Sequence, residues 1–289
     1  MFELTREEWR ERERIHEERA DALTAAHRAR ARRGEKHPVW DFLFTYYSFK
    51  PSLLRRWHPG AGVTLLDASG EPRAEWRWYR PGDTNRSVTP DAEGFAREKP
   101  ALARLIDIML RRTASRPGQF DCFGLHEWAM VYRQSEHRHP QPLRLGQQET
   151  DEVVETHELR CTHYDAFRFF TPDAVPRNRA PLDRETQPER EQPGCLHAGM
   201  DVYKWTAKLG PLAPGDLLLD AFELARDIRR LDMEAAPYDL RAFGIDPVRI
   251  ETAEGKAEYV HRQRAFAERG NRLRRALLDA WQGSSKLVA

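Results

Sequence analysis

The chain has 289 residues, of which 40% are hydrophobic and 32% charged, and its formal net charge at pH 7 is +1. This composition excludes a disordered chain, and the near-zero charge means that any binding of a polyanion must come from local arginine clusters. No apolar run approaches the roughly 18 residues of a membrane helix and no signal-peptide core is present, so we expect a cytoplasmic protein without a membrane partner.

The N-terminal segment predicts a long exposed helix. Residues 5–33 carry glutamate and arginine at helical spacing beside a thin apolar stripe, and Gly34 is suited to end the helix. We therefore expect residues 1–34 to form an exposed helix and residues 35–289 a single catalytic domain. The helix would be a solvated arm or a contact for nucleic acid or another partner.

The next segments alternate between helical and extended patterns. The aromatic segment 37–47 predicts a buried helix, and residues 92–114 predict an amphipathic helix. Val63 to Leu66 and Ala74 to Tyr79 are separated by a short polar turn and predict a β-hairpin.

Further along the chain, residues 121–134 are expected to be helical and residues 153–170 extended. Residues 172–194 are rich in proline, arginine and glutamate and predict a long loop that could serve as a lid. Three further helices are expected at about 195–209, 214–234 and 253–281. The predicted fold class is mainly α with a small β component (α+β), with helices around a buried pocket lined by histidine and carboxylate side chains.

All three cysteines lie just upstream of a histidine. The pairs are Cys122 with His126, Cys161 with His163, and Cys195 with His197. The odd number of cysteines argues against a disulfide framework. Without the paired C-x-x-C form of a structural zinc site, His126, His163 and His197 could bind a metal only if three separate elements come together. Small buried cysteines beside core histidines are the other interpretation.

Glu127 is a candidate catalytic acid or base. Its neighbours in the segment FGLHEWAMVY are mainly apolar or aromatic, so the sequence offers this carboxylate no obvious solvated face. A buried carboxylate needs a cationic partner, a metal ion or a raised pKa. A structural salt bridge to an arginine is the alternative.

His163 and Asp165 are a second candidate pair. Strand periodicity would place both on one inward face together with Cys161 and Phe167. The two side chains could then bind a metal, or the carboxylate could orient the imidazole. Alternatively, they satisfy each other as a buried pair.

His197, Asp201 and Lys204 follow one another at i, i+4 and i+7 on a mostly apolar helix, which places them on one stripe. The stripe either faces solvent or lines a cavity whose other walls carry Glu127 and His163. In the second case Asp201 and Lys204 join the candidate catalytic residues.

Four blocks of sequence carry a family resemblance: HPVWDFLFTYY at 37–47, RRWHPG at 55–60, FGLHEWAMVY at 123–132 and PGCLHAGMD at 193–201. Together they resemble a bacterial family commonly labelled 3-methyladenine DNA glycosylase, and the similarity spans nearly the whole chain. The resemblance implies hydrolysis of the N-glycosidic bond of an alkylated adenine in DNA, with the base flipped into an aromatic pocket.

The resemblance also implies roles for individual residues. Glu127 or Asp165 would activate water or stabilise the developing sugar cation, and arginines of 172–190 and of the last helix would hold phosphates. The stacking candidates are Trp128, Tyr132 and Trp205.

A metal-dependent enzyme is the competing hypothesis, with zinc or iron bound by the histidine and carboxylate clusters and a small molecule as substrate. No glycine-rich dinucleotide motif opens a helix and no phosphate-binding loop is present, so we expect no nucleotide cofactor. A non-catalytic helical adaptor would leave the acids and histidines on apolar elements unexplained.

Overall fold

The computed structural model of the protein describes residues 2–84, 86–137 and 139–282. Helices make up 57% of the chain and a four-stranded sheet 6%, which confirms the mainly α fold with a small β component. The chain divides into two compact units. The first comprises Met1–Arg111, Val202–Glu223 and Arg272–Ala289, and the second comprises Arg112–Asp201 and Leu224–Asn271. A single catalytic domain over 35–289 stays a prediction.

The helices are α1 (Arg6–Arg32), α2 (Phe42–Tyr46), α3 (Pro51–Leu54), α4 (Ala92–Glu98), α5 (Pro100–Ser115), α6 (Leu125–Ala129), α7 (Gly146–Thr156), α8 (Tyr164–Phe167), α9 (Gln187–Arg190), α10 (Leu196–Leu209), α11 (Gly215–Glu234) and α12 (Ala253–Gln282). The strands are β1 (Phe2–Leu4), β2 (Val63–Leu65), β3 (Tyr79–Pro81) and β4 (Val88–Pro90). Within the described residues, no helix combines the length and the apolar character needed to cross a membrane.

The N-terminal helix α1 forms as predicted. Thr5 and Glu8 make a capping box, in which the Glu8 amide donates to the Thr5 hydroxyl at 3.4 Å and the Thr5 amide to Glu8 Oε2 at 2.8 Å. The helix ends before Gly34, whose φ of 71° suits a left-handed C-terminal cap. Its thin inner face includes Trp9, which is fully buried.

The sheet of the first unit has the order β1-β2-β4-β3, with β1 parallel to β2 and the other pairs antiparallel. The predicted hairpin is wrong. Residues 72–75 form a 3₁₀ helix, because Pro72 has a fixed φ and no amide hydrogen to give to a strand. Strand β2 therefore pairs with β1 and β4. The buried core on this sheet consists of Leu4, Trp9, Trp57, Leu65, Ala68 and Val88.

Several predicted elements are shorter than expected. The helix expected at 37–47 extends only over α2, and the one at 92–114 is broken into α4 and α5 at the Lys99-Pro100 step, because proline disfavours the helical conformation of the preceding residue. The helix expected at 121–134 is reduced to α6. The three later helices agree with α10, α11 and α12.

The extended segment predicted at 153–170 is wrong over most of its length. Helix α7 continues to Thr156 and α8 begins at Tyr164, so only the segment between them is extended. The predicted loop 172–194 is mostly irregular. It buries Leu182, Glu191 and Gln192, and its function as a lid stays a prediction.

Candidate metal centre

Parts of three helices in the second unit bring the site residues together: α6, the first turns of α10 and the C-terminal half of α11. Helix α6 is buried along its whole length and carries His126 and Glu127, while the first turns of α10 carry His197 and Asp201. A Cβ at Gly199 would lie 2.6 Å from Ile228 Cδ1, so α10 and α11 are in close contact there and a larger residue would require the Ile228 side chain to move.

The three histidines of the sequence prediction lie in a row. The His126 and His197 rings meet edge to face, with centroids 4.6 Å apart, and the His163 and His197 rings stack with centroids 5.3 Å apart. Three separate elements therefore do converge, but His163 belongs to a different group of potential ligand atoms from His126 and His197.

His126, Glu127, His197 and Asp232 form the first group, in which one potential ligand atom from each residue lies within 4.8 Å of the others. His126 Nε2 donates to Asp232 Oδ1 at 2.8 Å. Arg229 Nη1 lies 2.9 Å from Asp232 Oδ2 and 3.3 Å from Glu127 Oε1. Glu127 and Asp232 are 4% and 0% exposed, so two carboxylates share one guanidinium away from water.

The electrostatics of the first group fix its protonation. Burial lowers the pKa of His126, but the Asp232 carboxylate raises it more, to well above the usual value. Burial and the Asp232 charge raise the pKa of Glu127 against the influence of Arg229. Burial and the neighbouring His126 charge lower the pKa of His197 to about 3, so this imidazole is neutral, the form that binds metals.

Two buried atoms of the first group have no hydrogen-bond partner among the described residues: Glu127 Oε2 and His197 Nδ1. Both are lone-pair donors of the kind that a metal ion accepts.

His163, Glu191 and Asp201 form the second group, again with one potential ligand atom from each within 4.8 Å of the others. His163 Nε2 lies 3.1 Å from Glu191 Oε1 and 3.3 Å from Asp201 Oδ2, and all three residues are at most 2% exposed. The Gln187 side chain donates to Glu191 at 2.6 Å and holds that carboxylate in place. The stacked rings of His163 and His197 make the two groups neighbours.

The strand alternation that was expected to place His163 and Asp165 on one face is wrong. Helix α8 begins at Tyr164, so strand alternation does not continue to Asp165. The Asp165 side chain is 15% exposed, and its Oδ1 lies 3.5 Å from Arg168 Nε and 3.7 Å from Arg184 Nη2. The carboxylates beside His163 come from elsewhere in the chain.

The aromatic residues expected to stack on a base are in the interior. Trp128 is 0% exposed and donates from Nε1 to the Ala235 carbonyl at 2.8 Å, and Tyr132 is 1% exposed. Trp205 is 6% exposed and belongs to the first unit together with Lys204, whose Nζ lies 4.3 Å from the Trp205 ring centroid.

Sequence reasoning did not single out Asp232, Arg229 or Glu191. Asp232 follows Ala225 and Ile228 on the inner face of α11, so a carboxylate on an apolar stripe was the signal that could have found it. Glu191 lies in an irregular segment, where no periodicity marks a buried side chain.

A small cavity of about 10 Å³ borders the first group, which is room for about one water molecule or one ion. All three cysteines line it, together with His126, His197 and Tyr259. Burial raises the pKa of Cys161 and of Cys195, which keeps both as thiols. Cys122 Sγ lies 3.6 Å from His126 Nδ1.

Chemically, the two groups combine imidazole nitrogens with carboxylate oxygens, a donor set that suits zinc and iron. Bound there, either ion could polarise a substrate oxygen or lower the pKa of a bound water. Comparisons of this chain with protein-family models, with curated proteins and with solved structures gave no match.

Proposed function

We propose that this protein is a metal-dependent enzyme whose catalytic ion, zinc or iron, is bound by His126, Glu127, His197 and Asp232. The observation that carries the proposal is the convergence of these four buried donors within 4.8 Å of one another. They come from three helices that are distant in sequence. Zinc sites and non-haem iron sites in proteins use such sets of imidazole and carboxylate donors.

The alternative is a buried network of ion pairs without a metal. Such networks stabilise a fold poorly, because apolar residues of similar volume are often at least as stable. The network would also leave Glu127 Oε2 and His197 Nδ1 buried without a partner, at a cost of about 1–3 kcal/mol each. An ion bound by these four residues would displace the proton that His126 shares with Asp232, since metal ligands must be deprotonated.

The second group supports a second ion. His163, Glu191 and Asp201 supply one nitrogen and two carboxylates directly beside the first group. Centres with two neighbouring ions commonly activate a water molecule and stabilise a leaving group in hydrolytic enzymes. We therefore propose a two-ion hydrolytic centre.

The cavity volume bears on the choice between this function and the DNA glycosylase that the sequence resemblance implies. A glycosylase needs room for an alkylated base beside Glu127, whereas the cavity at the first group holds about one water molecule. This volume suits an ion at the first group, whereas neither a base nor a small-molecule substrate fits in the same cavity.

Metal analysis of the purified protein tests the proposal. We expect zinc or iron at one to two ions per chain. Glu127→Gln should lose most of this metal while the free energy of unfolding in a chelator changes by less than about 1 kcal/mol, because Arg229 keeps its ion pair with Asp232 and no buried charge is left without a partner. Glu258→Gln is the matched control, since Glu258 is 57% exposed on α12.

Two results would overturn the proposal. One is a folded protein that contains no metal and binds neither Zn²⁺ nor Fe²⁺ on titration, which would identify a buried ion-pair network. The other is release of 3-methyladenine from alkylated DNA at an undiminished rate in a chelator, which would identify a glycosylase.

A further inference from the structure

An open cleft in the second unit lies beside the candidate metal centre. Its volume is about 400 Å³, within the usual range for sites that bind small molecules. Four arginines line it, Arg116, Arg160, Arg179 and Arg190, together with a single acidic residue, Glu189. This composition gives the cleft a positive charge in a chain whose net charge is close to zero.

The charge of the cleft is largely uncompensated. Within the described residues, the side chains of Arg116, Arg179 and Arg190 form no ion pair, and Arg179 and Arg190 are exposed. Glu189 is already paired with Arg112 outside the lining. Burial and the nearby Arg112 charge lower the pKa of Arg116 and outweigh the opposite influence of Glu189 and Glu191, so these carboxylates only partly balance the Arg116 charge. An anion in the cleft would relieve this repulsion.

The cleft and the small cavity at the metal centre share a wall. The side chains common to both linings are Gln119, Arg160, Cys161, Thr162 and Gln192. The backbone also connects the cleft to the second group. Glu191 lies between Arg190 and Gln192 in the sequence, and its carbonyl accepts a hydrogen bond from Arg116 at 2.7 Å. A substrate held by the arginines would therefore lie next to the metal centre.

We propose that this cleft binds the phosphate group of a small phosphorylated substrate. The inference rests on the proposed metal-dependent function and names its substrate class. Three guanidinium groups without an ion pair line one cleft, and together they carry more positive charge than a single carboxylate neutralises. A phosphate dianion offers three acceptor oxygens to these planar, bidentate donors. Arg160, already paired with Asp121, forms the boundary between the phosphate and the ions.

A calorimetric titration of the metal-loaded protein with inorganic phosphate tests the proposal. We expect phosphate to bind, and Arg179→Gln and Arg190→Gln each to weaken its affinity roughly 10- to 100-fold, the range for the loss of a charge-assisted hydrogen bond. Arg241→Gln is the control, because Arg241 is exposed, pairs with Asp239 and does not line the cleft. The affinity of this control variant for phosphate should equal that of the wild type.

Metal content is measured on the same samples. Unchanged metal with weakened phosphate binding supports the proposal, and phosphate binding by a protein that takes up no metal would overturn the metal-dependent function while leaving the anion cleft in place. Phosphate that binds no better than chloride at equal ionic strength, or equally well to both variants, would overturn the cleft. A short DNA strand that binds far more tightly than phosphate through the same two arginines would replace the small substrate by a nucleic acid.

Discussion

Arg229 gives the sharpest stability test of the first group. Its side chain is 2% exposed, and its Nη1 contacts both Glu127 and Asp232. Arg229→Met keeps an unbranched apolar stem but removes the guanidinium and leaves two carboxylates buried side by side. Breaking a buried pair in this way costs about 3–5 kcal/mol, so we expect a loss of that size in urea unfolding of the protein in a chelator.

The same substitution should be less costly when the centre is loaded with zinc. The ion would supply the positive charge that the two carboxylates lose, so the variant should bind zinc more tightly than the wild type and gain more stability from it. Arg226→Met on the same helix is the control. Arg226 is 39% exposed and pairs with its neighbour Asp227, so its loss should cost less than about 1 kcal/mol with or without zinc.

Two outcomes would refute this reasoning. If Arg229→Met costs less than about 1 kcal/mol in the chelator, the two carboxylates do not share a buried charge. If the cost is equal with and without zinc, the ion does not bind at Glu127 and Asp232.

Two further predictions concern the rest of the fold. A Cβ at Gly194 would lie 2.1 Å from the Gln119 carbonyl oxygen, so Gly194→Ala should lower the free energy of unfolding by at least about 2 kcal/mol, whereas Gly70→Ala, with open space around it, should change it by less than about 0.5 kcal/mol in the same assay. Burial raises the pKa of Asp41, but hydrogen bonds from Arg30 and other donors lower it to about 2. The folded state therefore favours the charged form of Asp41. This preference should contribute about 2 kcal/mol of stability above about pH 4, and the contribution should be lost between about pH 4 and pH 2. Asp41→Asn should remove this pH dependence from acid unfolding curves.

The long helices could be predicted from the sequence because their periodicity persists over many turns. Helices α1, α10, α11 and α12 agree with the predicted ranges to within about two residues, the usual uncertainty of helix ends. The three-residue strands could not be predicted, because so short an alternation also occurs in turns. Strand β1 pairs in parallel with β2, about 60 residues later, a contact that no local pattern encodes.

The candidate site could be predicted in part. His126, Glu127 and His197 stood out because each is polar on an apolar element, and the structure brings them together. Asp165 was misplaced because the choice between strand and helix decides which face a side chain occupies, and a single turn of helix at Tyr164 reverses it.

The spacing of the cluster along the chain links metal binding to folding. His126 and Asp232 are 106 residues apart, and His163 and Asp201 are 38 residues apart, so neither group exists before the second unit has folded. The free energy of ion binding would then be part of the folding free energy of that unit. A core of leucine and methionine in place of these buried charges would avoid their desolvation cost. The proposed ion accounts for why the fold carries that cost, because it gives a reason for assembling the donors at one place.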